Sequence, residues 1–200
     1  MLGNEYEGQV CSIARTLEMV GERWTILVIR EVFNGNRKFS EMQRSLGVAR
    51  NVLTARLQRL VDEDILERRP YSERPERYEY FLTEKGLDLW PVMISLMFWG
   101  DKHEPLQGGR PSIVVHKGDC GGEIDDRRIC TKCGKKLSVR EARATEGPGL
   151  KAALDQPEDA RRHSVLDHAT EADRGVPAIA AHPSIVEAST ARTAGRCWCR

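Results

Sequence analysis

Residues 39–62 read FSEMQRSLGVARNVLTARLQRLVD, two amphipathic runs separated by a glycine. Ser40 with Gln43 three residues later forms the pattern of a capping box, which predicts the start of a short helix that Gly47 ends. The second run, from about Arg50 to Asp62, predicts another helix, because its apolar residues recur at the spacing of one helix face. Those apolar residues are Leu53, Leu57, Leu60 and Val61.

Upstream of this pair, the pattern predicts two more helices. Ser12 can cap a helix that continues to Val20, and a second helix is expected over 22–33, before the stop signal Asn34-Gly35. We assign Trp24 to the core, because large aromatic side chains dominate core energetics.

Downstream of the pair, two strand-like runs follow at 65–71 and 77–82. Tyr78 and Tyr80 share one face of the second run, as the two-residue period of a strand requires. Residues 72–76 include a proline and predict a turn, so the two runs form a hairpin. A further helix is expected after Thr83, with Pro91 in its first turn or at a kink.

The segment at 92–99 reads VMISLMFW, so a helix there is apolar on nearly all sides. Such a helix needs to be buried, and a domain of about 100 residues has a limited interior. We therefore expect a second copy of the chain to cover this helix.

This order of elements predicts an α+β fold, mainly α, of the winged helix-turn-helix type. In that fold the second helix of the pair enters the DNA major groove, and the hairpin, or wing, reaches phosphates. The alternative is that the helix merely turns a polar face to water, as amphipathic helices do. The candidate DNA-contacting residues are Arg50, Asn51, Thr54, Ala55, Gln58 and Arg59 on the helix, and Arg74 and Arg77 in the wing.

Six short motifs occur in order along the first half of the chain. They are CSIARTL at 11–17, GERWTIL at 21–27, RKFSE at 37–41, LTARL at 53–57, RPERYEY at 74–80 and LTEKG at 82–86. Together they resemble the HxlR-type winged-helix transcription regulators, distant relatives of MarR, over residues 10–104. The resemblance implies a homodimer, joined through its N- and C-terminal helices, that reads a near-palindromic operator. It also gives the helix after Gly47 the recognition role.

Composition divides the chain into four parts. Of its twelve aromatic residues, eleven precede residue 100, so the packed domain is expected in the first half. Residues 1–9 form an arm, and residues 10–107 form the winged helix with its dimerisation helices. Residues 108–149 form a small Cys/His-rich, zinc-ribbon-like segment, hereafter the ribbon. Residues 150–200 hold few large apolar side chains and are expected to be a disordered tail.

The ribbon contains the pattern His116-x3-Cys120-x9-Cys130-x2-Cys133, four residues of types that zinc accepts. Cytoplasmic thiols stay reduced, which favours metal over a disulfide. The ribbon has no aromatic residue, and a piece of about 40 residues needs a metal to fold. We predict a structural zinc ion with four protein ligands. Unused thiols and a redox pair are the alternatives, and the cysteines at 197 and 199 are weaker competing ligands.

Cys11 stands apart from these cysteines, at the first turn of the first predicted helix. A helix N-terminus lowers the pKa of a thiol and favours its reactive form. In several members of the family a cysteine in this region senses oxidants or electrophiles, so the resemblance implies a redox sensor and an oxidant or small-molecule effector. The alternative is a small, buried apolar side chain.

The sequence also limits the class of function. With 31 basic and 30 acidic residues, the net charge is +1, so a nucleic-acid site must come from local patterning. We find no catalytic motif in the sequence, and we expect neither a signal peptide nor a membrane span. We therefore expect a cytoplasmic DNA-binding regulator rather than an enzyme. The competing hypothesis is a zinc-stabilised protein-interaction or thiol redox module whose winged helix does not bind DNA. Salt dependence separates the two, because phosphate contacts weaken steeply as salt rises.

Overall fold

The computed structural model describes residues 11–106 and 108–154. The predicted arm and the predicted tail beyond residue 154 lie outside them. The described residues up to Leu150 form one compact unit. Among the described residues, no helix has the length and apolar character needed to cross a membrane.

The elements of the winged helix follow one another in the order that the sequence predicts, whereas the strands and helices after residue 108 were not predicted. The helices are α1 (Ser12–Val20), α2 (Thr25–Phe33), α3 (Phe39–Leu46), α4 (Arg50–Asp62), α5 (Glu84–Leu87), α6 (Trp90–His103) and α7 (Pro148–Leu154). The strands are β1 (Leu66–Glu73), β2 (Glu76–Leu82), β3 (Ser112–His116) and β4 (Ala142–Glu146), with a 3-10 turn at Val139–Glu141. The α+β, mainly α, winged-helix prediction is confirmed.

The starts of α2 and α3 differ from the predictions. Helix α2 begins at Thr25 instead of residue 22, because Trp24 occupies the N-cap position in a left-handed backbone conformation with φ of 79°. At α3 the capping carboxylate belongs to Glu41, which accepts a hydrogen bond from the Lys38 backbone N–H at 3.2 Å. The predicted Ser40–Gln43 capping box was therefore misplaced by two residues.

The wing is an antiparallel pair of β1 and β2 whose register runs from Leu66 opposite Leu82 to Glu73 opposite Glu76. Both strands are longer than predicted, so the turn shrinks to Arg74-Pro75, which is joined by a cis peptide bond.

The main core lies between α2, α3, α4 and the start of β1. Its most deeply buried apolar side chains are at most 1% exposed: Val28, Ile29, Met42, Leu53, Leu57, Leu60, Ile65 and Leu66. Trp24 is half-buried and packs against this cluster, as predicted. Full burial of such side chains stabilises a fold by about 1.5–3 kcal/mol each. This core holds α4 by its leucine face and leaves the opposite face free.

A second core joins α6 to the ribbon. Trp90 and Ile94 pack with apolar side chains that the ribbon contributes. Those ribbon residues are Val114, Ile124, Cys130, Leu137 and Ala142. The expectation that a second copy covers all of α6 was therefore wrong for this side of the helix, because the ribbon of the same chain covers it.

Candidate DNA-binding surface and metal site

Helices α3 and α4 form the helix-turn-helix. Gly47 ends α3 with φ of +62°, a backbone conformation that glycine adopts without the strain a side chain brings. With Leu53, Leu57 and Leu60 buried, α4 presents its opposite face to solvent. The six predicted base-reading residues, Arg50, Asn51, Thr54, Ala55, Gln58 and Arg59, are all exposed.

Two of these six residues, Thr54 and Gln58, make side-chain hydrogen bonds within α4. The Thr54 hydroxyl donates to the Arg50 carbonyl at 2.9 Å, and the Gln58 amide donates to the Asp62 carboxylate at 2.7 Å. Both contacts are solvent-exposed and lie within the helix, so a base edge can replace them.

Arg59 differs from its neighbours on α4, because its guanidinium contacts two groups beyond the groove-facing surface. It pairs with the Glu63 carboxylate at 3.0 Å and approaches the Glu18 backbone carbonyl of α1 at 3.5 Å. These contacts draw Arg59 toward the C-terminal end of α4 and make it the weakest of the six candidates for base contact.

A groove of about 560 Å³ separates the helix-turn-helix from the wing. Phe39, Arg50 and Thr54 line one side, and Tyr71 and Arg77 are among the wing residues that line the other. Arg77 thus faces the same space as the start of α4.

The second wing arginine, Arg74, lies in the two-residue turn and is exposed. The turn is held by the Ser72 hydroxyl, which donates to the Pro75 carbonyl at 2.9 Å. Arg74 therefore sits at the tip of the hairpin, where a winged helix reaches the DNA backbone.

Sequence analysis missed a set of cations that stack on the aromatic residues of this surface. Arg37 and Arg69 lie 4.5 and 4.3 Å from the centroid of the Phe81 ring. Lys38 lies over Tyr71 at 5.3 Å. Basic residues close to aromatic ones in the two strands, such as Arg69 and Tyr71, were the available signal, but Arg37 and Lys38 precede α3 and gave none. Stacking orders these long side chains. Carboxylates also pair with two of them: Arg69 pairs with Glu67, and Lys38 pairs with Glu41 and Glu79.

The four predicted metal ligands come together in the ribbon. Their ligand atoms, His116 Nδ1 or Nε2 and the three Sγ atoms, all lie within 4.8 Å of one another. His116 Nδ1 is 3.1 Å from Cys120 Sγ and 3.5 Å from Cys133 Sγ, and Cys120 Sγ is 3.6 Å from Cys130 Sγ. Tetrahedral zinc with Zn–S bonds of about 2.3 Å separates two sulfurs by about 3.8 Å. The cluster therefore has the ligand types and the dimensions of a metal site.

Backbone contacts shape this cluster. The N–H groups of Cys133 and Lys132 donate to the Cys130 sulfur and, against the effect of burial, lower the pKa of that thiol to about 6. For Cys133, a hydrogen bond from the Lys135 N–H lowers the pKa, but the neighbouring Cys130 and burial outweigh it, so the pKa is raised. The segment at 130–134, hereafter the knuckle, thus favours one thiolate at neutral pH, and the thiolate is the form that binds metal.

Glycines permit the close approach of the two halves of the site. A Cβ on Gly122 would lie 2.6 Å from Cys130 Sγ, so a side chain there would collide with a ligand. The His116 N–H donates to the Gly122 carbonyl at 2.9 Å, and the Thr131 N–H donates to the Glu123 carbonyl at 2.8 Å. These bonds hold His116 and Cys120 next to the Cys130 knuckle.

Cys11 lies far along the chain from this cluster, at the N-cap of α1. Its sulfur accepts a hydrogen bond from the Ala14 N–H at 3.4 Å, and the side chain is exposed. The predicted alternative of a buried apolar side chain is therefore wrong, and the cap position was misassigned to Ser12.

Comparisons with known proteins agree with this geometry. The model of the HxlR-like helix-turn-helix family matches residues 19–107. Uncharacterized HTH-type transcriptional regulators from Mycobacterium bovis and Mycobacterium tuberculosis are each 45% identical over 153 residues, which cover 76% of this chain and 95% of each relative. A match of that length extends well beyond the winged helix into the ribbon.

Among solved structures, the crystal structure of PA1607, a protein described as a transcription factor, is similar. It is 30% identical, with a TM-score of 0.54, and the likeness covers 67% of this chain and 93% of that one. Since the sequence relatives and the family model point to the same class, the chain belongs to the HxlR-like helix-turn-helix family of transcriptional regulators.

Proposed function

We propose that this protein is a homodimeric regulator that binds a near-palindromic operator in double-stranded DNA. The observation that carries the proposal is the exposed polar face of α4 beside an arginine-lined groove and the wing. Base contacts are assigned to Arg50, Asn51, Thr54, Ala55 and Gln58. The polar side chains hydrogen-bond to base edges, and the Ala55 methyl group makes an apolar contact with a thymine methyl group. Arg74 and Arg77 neutralise phosphates. Since the proposed target is double-stranded DNA, we propose that the protein acts in the cytoplasm.

Two exposed apolar stripes support the homodimer. On α1, Ile13 and Leu17 are 73% and 40% exposed and lie one helical turn apart. On α6, Val92, Leu96 and Trp99 recur at helical spacing and are 46–61% exposed. A second copy that presents the same stripes is self-complementary, as a two-fold interface requires.

The first experiment is selection of random DNA duplexes in solution by the full-length protein, at two salt concentrations. Enrichment of a two-fold symmetric sequence, with affinity that falls steeply with salt, supports the proposal. No enrichment, or weak binding without symmetry, favours the competing protein-interaction or redox module.

Variants on the selected operator test the residue roles. We expect Gln58→Ala to change base preference by about 1–3 kcal/mol at one position, because it removes a direct base contact. Arg74→Ala should weaken binding to all sequences equally and reduce the salt slope by about 1. Arg59→Ala serves as the matched control on α4 and should change base preference least. Equal losses on operator and random DNA for Gln58→Ala would contradict base reading.

We further propose that the His116, Cys120, Cys130 and Cys133 cluster binds one structural zinc ion. Four protein ligands close the tetrahedral shell and leave no position for a reacting water. Metal analysis of the purified protein should give one zinc per chain, and Cys133→Ser should lower that content. Four freely titrating thiols without metal would favour unused thiols, and a disulfide would favour the redox pair.

We also propose that chemical modification of Cys11 modulates operator binding. The exposed thiol immediately precedes the apolar stripe of α1, so a modification there changes the edge of the proposed dimer interface. Alkylation of the zinc-loaded protein should weaken operator binding, and Cys11→Ser should abolish the response. Alkylation at Cys11 with unchanged operator affinity would contradict the sensor role.

A further inference from the structure

Helix α6 has different neighbours on its two sides. On one side Trp90 and Ile94, 8% and 4% exposed, pack against the ribbon. On the other side Val92, Leu96 and Trp99 form the stripe proposed for dimerisation. The ribbon therefore supports the same helix that carries the proposed dimer interface.

The metal ligands are themselves part of the contact with α6. Cys130 is 1% exposed and belongs to the same apolar cluster as Trp90 and Ile94, and Cys120 packs at the edge of that cluster. The Arg128 guanidinium, two residues before Cys130, lies 5.9 Å from the Trp90 ring centroid. Because Cys130 itself lies in the contact with α6, a change at the ligand sulfurs alters the packing against this helix directly.

Apart from a metal, the ribbon is held by its apolar contact with α6. Its regular structure is a two-stranded sheet of five-residue strands and one 3-10 turn, a unit that is only marginally stable by itself. For small units of this kind, the free energy of metal binding contributes directly to folding. Loss of the metal should therefore loosen the apolar cover over Trp90 and Ile94.

The ligands are also accessible to the solution. Cys133 is exposed and Cys120 is half-exposed, although Cys130 is buried. A chelator or a competing thiol can therefore attack the metal from the Cys133 side while the winged helix stays folded.

We infer that the ribbon is a metal-responsive regulatory element, in which a divalent cation of the zinc class fixes the ribbon against α6 and loss of that cation weakens operator binding. This inference rests on the proposed function, because it uses the proposed dimer interface and operator. It adds the regulation: the occupancy of the His116, Cys120, Cys130 and Cys133 site sets the conformation of the dimerisation helix.

The test uses the full-length protein, loaded with one equivalent of Zn²⁺ or stripped by dialysis against a chelator. We expect operator affinity to fall by about 5- to 150-fold on stripping, the usual range of coupling between two sites. Tryptophan emission should shift to the red as Trp90 loses its cover. That shift should disappear in Trp90→Phe and persist in Trp24→Phe, since Trp24 packs against the other core.

A matched pair of variants separates ligand loss from surface change. Cys133→Ser should bind the operator as weakly as the stripped protein and should not respond to Zn²⁺. Lys136→Ser, at an exposed position three residues after Cys133 and outside the ligand set, should respond as the unmodified protein does. Where Cys133→Ser fails to fold, the reversible Zn²⁺ titration of the unmodified protein decides the question by itself.

The outcomes distinguish the two proposals. A protein that binds one Zn²⁺ but keeps its operator affinity and its Trp90 emission after stripping overturns the metal-responsive element and leaves the DNA-binding proposal intact. Failure to bind Zn²⁺ at all also overturns it. A zinc-loaded protein that binds no operator overturns the proposed function instead.

Discussion

The winged helix and the ribbon bury their side chains to different extents. Ten large side chains among the described residues are less than 2% exposed; nine belong to the winged helix, and the tenth is Cys130 of the ribbon. The winged helix is thus held by apolar packing around α4, whereas the most buried ribbon side chain is a proposed metal ligand. The difference indicates that the ribbon relies less on the burial of apolar side chains than the winged helix does.

The largest expected effect follows metal removal. A structural zinc ion binds small domains with about 10–16 kcal/mol, so stripping should unfold the ribbon and leave the winged helix intact. Amide hydrogen exchange should show fast exchange at Val114, Ile124 and Cys130 and unchanged protection at Leu57. If the amide groups of the stripped ribbon stay protected from exchange, the ribbon does not depend on a metal for its stability.

Next in size is truncation of the main core. Leu57 is 1% exposed, and Leu57→Ala should lower the free energy of unfolding of the winged helix by about 2–5 kcal/mol. The control is Leu106→Ala, at a side chain that is 42% exposed, where the change should stay within about 0.5 kcal/mol. Denaturant titration measures both, and zinc content should remain unchanged in both. Equal effects of the two substitutions would contradict the packing argument.

A smaller effect concerns acid stability of the winged helix. Burial raises the pKa of Glu31, but hydrogen bonds from Arg30 and Asn36 lower it more, so the pKa lies below its ordinary value of 4.5. The carboxylate therefore stabilises the fold fully above pH 4.5, and this stabilisation is lost as pH falls through the lowered pKa.

The variant Glu31→Gln tests this dependence. We expect it to be less stable than the unmodified protein near neutral pH and to lose part of the decline in acid. Thermal unfolding at a series of pH values measures the difference. Parallel curves for the two proteins would show that Glu31 does not cause the decline.

The smallest effect is expected at the surface ion pair that joins the ribbon to α5. Arg140 lies 2.6 Å from Glu84, with side chains 70% and 81% exposed. Exposed pairs contribute about 0–1 kcal/mol, so Arg140→Ala should barely change the retention of the ribbon on α6. Hydrogen exchange at the Val114 amide measures how firmly the ribbon is held on α6. A loss of protection as large as that caused by Ile124→Ala would show that the ion pair, not the apolar cluster, joins the two regions.

Local periodicity was sufficient to predict the helix-turn-helix and the wing. The leucine spacing of α4 and the alternation of Tyr78 and Tyr80 are properties of a few neighbouring residues. Ligand spacing likewise brought His116 and Cys120 to the Cys130 knuckle, because the chain between them is short.

Long-range packing accounts for most of what sequence patterns missed. The sequence of α6 shows an excess of apolar residues, but it does not show that the ribbon covers Trp90 while Leu96 stays exposed. The late start of α2 depends on the left-handed backbone of Trp24, which no residue preference indicates. Stacking of Arg37 on Phe81 joins residues that are 44 positions apart.

The two ends of the ribbon meet. Strand β3 pairs with β4 from Ser112 opposite Glu146, and the Gly147 N–H donates to the Pro111 carbonyl at 2.9 Å. In evolutionary terms, a segment whose ends are adjacent can be gained or lost as a block without redirecting the chain around it. Family members that lack this block should carry smaller or more polar residues in place of Trp90 and Ile94, since the ribbon side chains that bury those positions would be missing.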